Sequence, residues 1–191
     1  MEPNCVVDTS TLLRLGDSGL IWIITELFNV ATIPQEVLDE IINHQDLKND
    51  IWRRVANGTM KVTACGTLNE FEQAAYDAAM RSMRPYLSQR RDSRSNIGEM
   101  SVVATAIALS IPTVLMDDSE AEHVISAISG LGDQISVFRS VAVVRAARIL
   151  KGITSKIERA CVKAWTSKTR SPMPSEDGTL LIKAVGGNMT S

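Results

Sequence analysis

Short apolar runs alternate with longer amphipathic segments along most of the chain. Short runs rich in valine, isoleucine and threonine suit buried strands, whereas apolar residues that recur every three to four positions suit helices packed on one face. The pattern predicts strands at residues 4–8, 30–33, 113–116 and 135–138, an extended segment at 60–65, and helices at 20–29, 35–45, 46–57, 68–87, 98–110 and 140–152. A further helix is predicted after residue 119, where Ser119 and Glu122 form a capping box.

This order of elements favours an α/β fold in which helices cover both faces of a central parallel sheet. We therefore expect a three-layer α/β/α domain over residues 1–165, with a helical insertion at about 44–97. Pro85 should end or kink the last helix of that insertion. The tail at 166–191 mixes serine, proline, glycine and lysine with a short apolar run. For the tail we expect partial disorder or an arm that docks on a partner.

Composition narrows the class of protein. The 191 residues, 45% hydrophobic and 22% charged, are typical of one globular domain. The net charge of −2 means that any attraction to nucleic acid must come from a local patch. Three cysteines without paired spacing favour a reducing cytoplasm. We expect a soluble cytoplasmic protein without a secretory signal or membrane span, because the longest apolar stretch, 102–116, is short and contains Pro112.

Acidic residues stand where several predicted strands end. Asp8 ends the first strand, and Asp117 and Asp118 follow the strand at 113–116. Because the carboxyl ends of parallel strands meet at one edge of a sheet, these side chains should converge there. Glu99 lies on the otherwise apolar face of its helix, and Glu40 lies at the border of another apolar face.

Carboxylates gathered in one crevice repel each other, so a cation is expected among them. Oxygen ligands without histidine or paired cysteine point to Mg²⁺ or Mn²⁺ rather than zinc. Such an ion activates water and stabilises charge on a phosphate, and the expected chemistry is therefore metal-dependent phosphodiester cleavage. Taken singly, the acids have simpler interpretations: Asp8 as a helix cap, and the Asp117–Asp118 pair as a turn.

A basic stretch precedes Glu99 in the sequence. It includes Arg90, Arg91 and Arg94, whose guanidinium groups are suited to binding RNA phosphates beside the acidic centre. An ordinary solvated helix end and loop explains the same residues about as well.

Four segments carry a resemblance to a known family. The sequences "VVDTSTLL", "IPQEVLDEI", "IGEMSVVATAIAL" and "VLMDDSEAEHV" resemble, in order, the motifs of PIN domains, over about residues 4–153. PIN domains are metal-dependent ribonucleases that include the VapC-like toxins of prokaryotic toxin-antitoxin pairs. The resemblance implies an endoribonuclease that uses Mg²⁺ or Mn²⁺. It also implies RNA as substrate, a homodimer, and an antitoxin protein as a candidate partner.

The resemblance assigns roles residue by residue. Asp8 matches the first acid of the family, and Ser10 matches the small polar residue that supports it. Glu40 matches the acid on the second helix and Glu99 the acid that opens the central helix. For the last acid, the alignment favours Asp118, but Asp117 competes because Met116 stands in place of the usual threonine. The implied metal ligands are Asp8, Glu99, Asp117 and Asp118, and Glu40 joins them as a catalytic acid.

Two other function classes fit parts of the pattern. A phosphoryl-transfer receiver or a haloacid-dehalogenase-like enzyme also has an aspartate after its first strand, but the latter requires a second aspartate at the position of Ser10. A non-catalytic interaction module on the PIN scaffold is the stronger alternative, because a fold alone does not establish activity.

Overall fold

The central element of the fold is a five-stranded, all-parallel sheet. The computed structural model describes residues 3–87, 97–117, 125, 134–166 and 177–186. Its strands are β1 (Cys5–Val7), β2 (Ala31–Pro34), β3 (Met60–Thr63), β4 (Thr113–Leu115) and β5 (Ser136–Phe138), in the sheet order β3-β2-β1-β4-β5. The five predicted extended segments are therefore confirmed. Residues 60–63 form an edge strand of this sheet rather than part of a separate insertion.

Nine α-helices surround the sheet in the described residues. They are α1 (Thr9–Asp17), α2 (Trp22–Leu27), α3 (Gln35–Glu40), α4 (Gln45–Ala56), α5 (Glu70–Leu87), α6 (Ile97–Ala108), α7 (Ser140–Lys151), α8 (Ser155–Thr166) and α9 (Asp177–Ala184). Helix α6 packs on β1, β2 and β4 and is covered by α3 and α5, whereas α7 contacts α1 and α2. The arrangement is the expected three-layer α/β/α fold.

The helix predicted over residues 35–45 is interrupted. Helix α3 ends at Glu40, because Ile41 adopts φ −79° and ψ 66° and its N–H bonds to the carbonyl of Leu38. Ile41 is fully buried, but Ile42 is 74% exposed and does not extend the apolar face as predicted. The break places Glu40 at the end of its helix, beside the carboxyl edge of the sheet.

Two further expectations are corrected or left open. Pro85 lies inside α5, which continues to Leu87, so the proline does not end the helix at its own position. The helix predicted after residue 119 lies outside the described residues, apart from Ile125, which is helical.

The C-terminal region contributes a helix to the domain. Helix α9 packs against α7, and its Leu181 and Ile182 are fully buried. Gly178 allows this close approach, because a Cβ at that position would lie 2.7 Å from the Cβ of Arg145. The apolar run in the tail, for which partial disorder or docking on a partner was expected, therefore packs within its own chain. None of the helices in the described ranges combines the length and hydropathy needed to cross a bilayer.

Candidate active site

Asp8 ends β1 and is the N-cap of α1. Its backbone N–H donates to the carbonyl of Leu115 at 2.9 Å, which ties it to the neighbouring strand β4. Its carboxylate accepts hydrogen bonds from the Ser10 N–H at 3.1 Å and from the Ser10 hydroxyl. The residue is only 3% exposed. Asp8 is therefore a helix cap and also a buried acid at the carboxyl edge of the sheet.

The surroundings of Asp8 do not neutralise its charge. Burial raises the pKa of Asp8, and the negative charge of Glu40 raises it further, whereas hydrogen bonds from Ser10 and Thr9 lower it. Across the described ranges no basic side chain forms an ion pair with Asp8. A cation at this point would compensate the buried charge.

Glu40 is held beside Asp8 by two features. The Thr9 hydroxyl donates to its Oε2 at 2.5 Å, so the residue next to Asp8 fixes the carboxylate. The carboxylate also packs directly on the Cα of Gly98, where a Cβ would lie 2.8 Å from both Cδ and Oε2 of Glu40. Glu40 thus bridges the start of α1 and the start of α6.

Glu99 follows Gly98 in the first turn of α6 and is half-buried. Most of α6 is buried on every side, because the helix is enclosed by the sheet, α3 and α5. Val103 and Ala106, which were expected on the same helix face as Glu99, are buried. Glu99 is therefore adjacent in sequence to the glycine against which the Glu40 carboxylate packs.

Asp117 is held by partners from two helices, α1 and α7. Its Oδ1 lies 3.0 Å from Nη1 of Arg14 and accepts the Ser140 N–H, also at 3.0 Å, and its Oδ2 accepts the Ser140 hydroxyl. The Asp117 N–H points at the Ser10 hydroxyl at 3.4 Å, near the upper limit for a hydrogen bond. Ser10 therefore connects Asp8 with Asp117.

Sequence reasoning missed four residues of this site: Thr9, Arg14, Gly98 and Ser140. Arg14 could have been found, since it lies four residues after Ser10 and therefore on the same face of α1. Ser140 could have been found as well, because it follows a predicted strand at the same edge of the sheet. The contacts of Thr9 and Gly98 with Glu40 could not have been predicted from any pattern in the sequence.

Four predicted site residues, Asp118, Arg90, Arg91 and Arg94, lie outside the described residues. Within the described ranges, no group of three or more histidine, cysteine, aspartate or glutamate side chains is close enough to hold a metal ion. The chemistry of the donors nevertheless fits a hard divalent cation, because carboxylate and hydroxyl oxygens line the edge around the buried Asp8. The described residues alone therefore do not form a metal site.

Fold and site together define a three-layer α/β/α domain with an acidic centre at the carboxyl edge of its parallel sheet. A family model described as a PIN domain matches residues 4–159, and the chain belongs to the PIN-domain family. PIN domains are generally nucleases that act on RNA or DNA and typically use divalent metals. The chain matches neither a curated protein sequence nor a solved structure.

Proposed function

We propose that this protein is a metal-dependent endoribonuclease that hydrolyses RNA phosphodiester bonds with water activated by Mg²⁺ or Mn²⁺. The buried carboxylate of Asp8 carries the proposal, because the described part of the protein provides no counter-charge for it. A structural cap would not need this charge, since asparagine caps helices as well as aspartate does. Membership of the PIN-domain family supports the nuclease part of the proposal.

The residues of the acidic centre have different roles in this proposal. Asp8, Glu99 and an acid of the Asp117–Asp118 pair hold the ion, and Ser10 orients Asp8 through two hydrogen bonds. Glu40, fixed by Thr9, adds negative charge that favours cation binding. When bound, a divalent ion supplies positive charge for the phosphate and lowers the pKa of an attacking water.

Arg90, Arg91 and Arg94 are proposed as phosphate contacts for the RNA. The support is their sequence position just before α6, which carries Glu99 in its first turn. Guanidinium groups bind phosphates through paired hydrogen bonds, and each neutralised phosphate releases counterions. Replacing the three arginines should weaken RNA binding and reduce its salt dependence, while bound RNA should still be cleaved.

A single-turnover cleavage assay tests the proposal. The full chain at saturating concentration is incubated with a mixed single-stranded RNA pool and Mg²⁺ or Mn²⁺. Asp8→Asn and chelation of the metal should each abolish cleavage. Asp39→Asn is the matched control, because Asp39 is exposed on α3 and contacts only Gln35 among the described residues. Cleavage that survives both Asp8→Asn and the chelator overturns the mechanism.

The same pool made as single-stranded DNA identifies the substrate class. Cleavage of RNA alone is the expected result, whereas preferential cleavage of DNA contradicts the ribonuclease proposal. Failure to cleave either polymer, in a protein that also binds no Mn²⁺, favours the non-catalytic interaction module.

We also propose that the protein is the toxin of a toxin-antitoxin pair, on the strength of the resemblance of its four motifs to VapC-like toxins. Induced expression should then arrest growth of a host cell, and Asp8→Asn should relieve the arrest. Co-expression of the protein from the adjacent reading frame should relieve it too. If growth is unaffected by the active chain, the toxin role is wrong.

A homodimer is the proposed assembly. Large apolar side chains are exposed on the part of the chain predicted as an insertion: Phe71 is 88% exposed and Trp52 is 49% exposed. Burial of such side chains against a second copy would stabilise a dimer. Light scattering at micromolar concentration should give a dimer mass, and Phe71→Ser should lower it if α5 lies in the interface. A monomeric mass for the unaltered chain contradicts the proposal.

A further inference from the structure

The side chain of Asp117 is enclosed and engaged at both of its oxygens. It is 1% exposed, and it contacts Arg14 from α1 and Ser140 from the first turn of α7. Nη1 of Arg14 is itself buried and makes no aligned hydrogen bond within the described residues, so its 3.0 Å approach to Asp117 is a charge–charge contact. The protein therefore supplies a counter-ion for this carboxylate from its own chain.

Asp8 differs from Asp117 in this respect. Both carboxylates are buried at the same edge of the sheet. The Ser10 hydroxyl donates to the carboxylate of Asp8 and lies 3.4 Å from the backbone nitrogen of Asp117. The described partners of the Asp8 carboxylate are neutral, whereas Asp117 has a guanidinium partner. A metal ion that bound Asp117 would have to displace Arg14 or compete with it for the carboxylate. Displacement would leave the partly buried guanidinium of Arg14 without its counter-ion. At Asp8 an ion would meet no such competition among the described residues.

We propose that Asp117 is a positioning residue paired with Arg14, and that it is not a ligand of the metal. It follows β4, its side chain contacts the last turn of α1 and the start of α7, and its backbone N–H lies next to the hydroxyl that orients Asp8. The part of this inference that concerns the metal rests on the proposed function. The pairing itself does not.

A double-mutant cycle tests the pairing without metal. Arg14→Met, Asp117→Asn and the double variant are unfolded in urea with a chelator present. Arg14→Met should lower the urea midpoint most, because it leaves a buried carboxylate uncompensated. The double variant should recover more than half of that loss, since the charge that needed Arg14 is gone. Additive losses overturn the proposal. If Arg14→Met does not fold, folding of the double variant shows the same coupling, and failure of both variants to fold counts against it.

Calorimetric titration with Mn²⁺ tests the second part. If Asp117 acts by positioning, Asp117→Ala should weaken Mn²⁺ binding by about 10–100-fold, as is usual for groups that orient metal ligands. Asp117→Asn should recover affinity to within about tenfold of the unaltered chain, because an amide can still accept the Ser140 N–H. If Asp117 is a ligand, asparagine and alanine should be equally damaging. Equal loss in the two variants, matching that of Asp8→Asn, overturns the proposal.

The two experiments separate this inference from the proposed function. If the unaltered chain binds no Mn²⁺, the metal-dependent mechanism is wrong. The double-mutant cycle measured in urea then still tests whether Arg14 and Asp117 are paired. A chain that binds Mn²⁺ and shows no coupling between Arg14 and Asp117 retains the proposed function and loses this inference.

Discussion

Gly98→Ala should strongly lower the rate of RNA cleavage and change the free energy of unfolding only slightly. Gly98 is buried in the first turn of α6, and the carboxylate of Glu40 occupies the space where a side chain would begin. A Cβ would lie 2.8 Å from Cδ of Glu40 and closer still to its Oε1, whereas ordinary van der Waals contact begins at 3.4 Å. The carboxylate must therefore retreat by at least the difference, 0.6 Å. The end of a flexible side chain can make this movement without a shift of the backbone.

The effect on folding should be small. Alanine in place of glycine within a helix stabilises by about 0.5–1 kcal/mol. Moving Glu40 weakens but does not abolish the hydrogen bond from Thr9, whose complete loss would cost about 1.5–3 kcal/mol because the acceptor is charged. The two terms oppose each other, so the free energy of unfolding should stay within about 1 kcal/mol of its original value.

The effect on catalysis should be large if Glu40 belongs to the acidic centre. Misplacement of a catalytic group by about 1 Å can reduce a rate by about 100-fold, and a movement of 0.6 Å or more approaches that distance. Single-turnover cleavage of RNA should therefore fall by roughly 10–100-fold in Gly98→Ala.

Two matched variants control this experiment. Gly66→Ala is the same substitution at a position where a Cβ would meet nothing within 4 Å, and it should leave the cleavage rate unchanged. Adding Glu40→Asp to Gly98→Ala shortens the acid, which should restore space and part of the rate. A Gly98→Ala variant that cleaves at the original rate would refute the reasoning, as would one that fails to fold while Gly66→Ala folds.

Three further outcomes are expected. Burial raises the pKa of Asp8 above its ordinary value of 3.8, so the folded state binds the proton more tightly than the unfolded state does. The free energy of unfolding of the metal-free protein should therefore fall as pH rises from about 3.8 through the raised pKa. Asp8→Asn should remove this loss and be the more stable protein at pH 7 in urea unfolding with a chelator; lower stability at pH 7 contradicts the sign. Ser140→Ala removes a hydrogen bond to a buried carboxylate and should cost about 1.5–3 kcal/mol in the same measurement, whereas Ser82→Ala, on an exposed helix face, should cost less than about 0.5 kcal/mol. Leu181→Ala should cost about 2–5 kcal/mol, and Leu180→Ala, 52% exposed, should cost well under half as much; equal effects would show that α9 does not pack on α7 in solution.

Local patterns were sufficient to predict the sheet and the position of two acids at its edge. Most of the strands are short apolar runs; β1 is followed directly by Asp8, and Met116 alone separates β4 from Asp117. Parallel topology then implies that Asp8 and Asp117 share an edge, and the structure connects both of them to Ser10. The confirmed part of the prediction thus depended on periodicity and chain order.

Contacts between distant segments could not be read from such patterns. The apolar spacing of residues 37–42 continues past Glu40, but tertiary packing buries Ile41 in a non-helical conformation and ends α3. The pairing of Arg14 with Asp117 depends on which face of α1 meets the sheet. The contact of Glu40 with Gly98 joins segments 58 positions apart, and a missing side chain leaves no trace in hydrophobic spacing.

Asp8 is a helix cap, and the proposed function makes the same residue a catalytic acid. As a cap it needs only an oxygen that accepts the Ser10 N–H, and asparagine provides one. The negative charge adds a favourable interaction with the start of α1, but desolvation outweighs the hydrogen bonds and raises the pKa of Asp8. Folding alone would therefore favour a neutral cap at this position. Under the proposed function, a cation bound beside the carboxylate would compensate this charge, and the burial that destabilises the metal-free protein would then strengthen the attraction between ion and ligand.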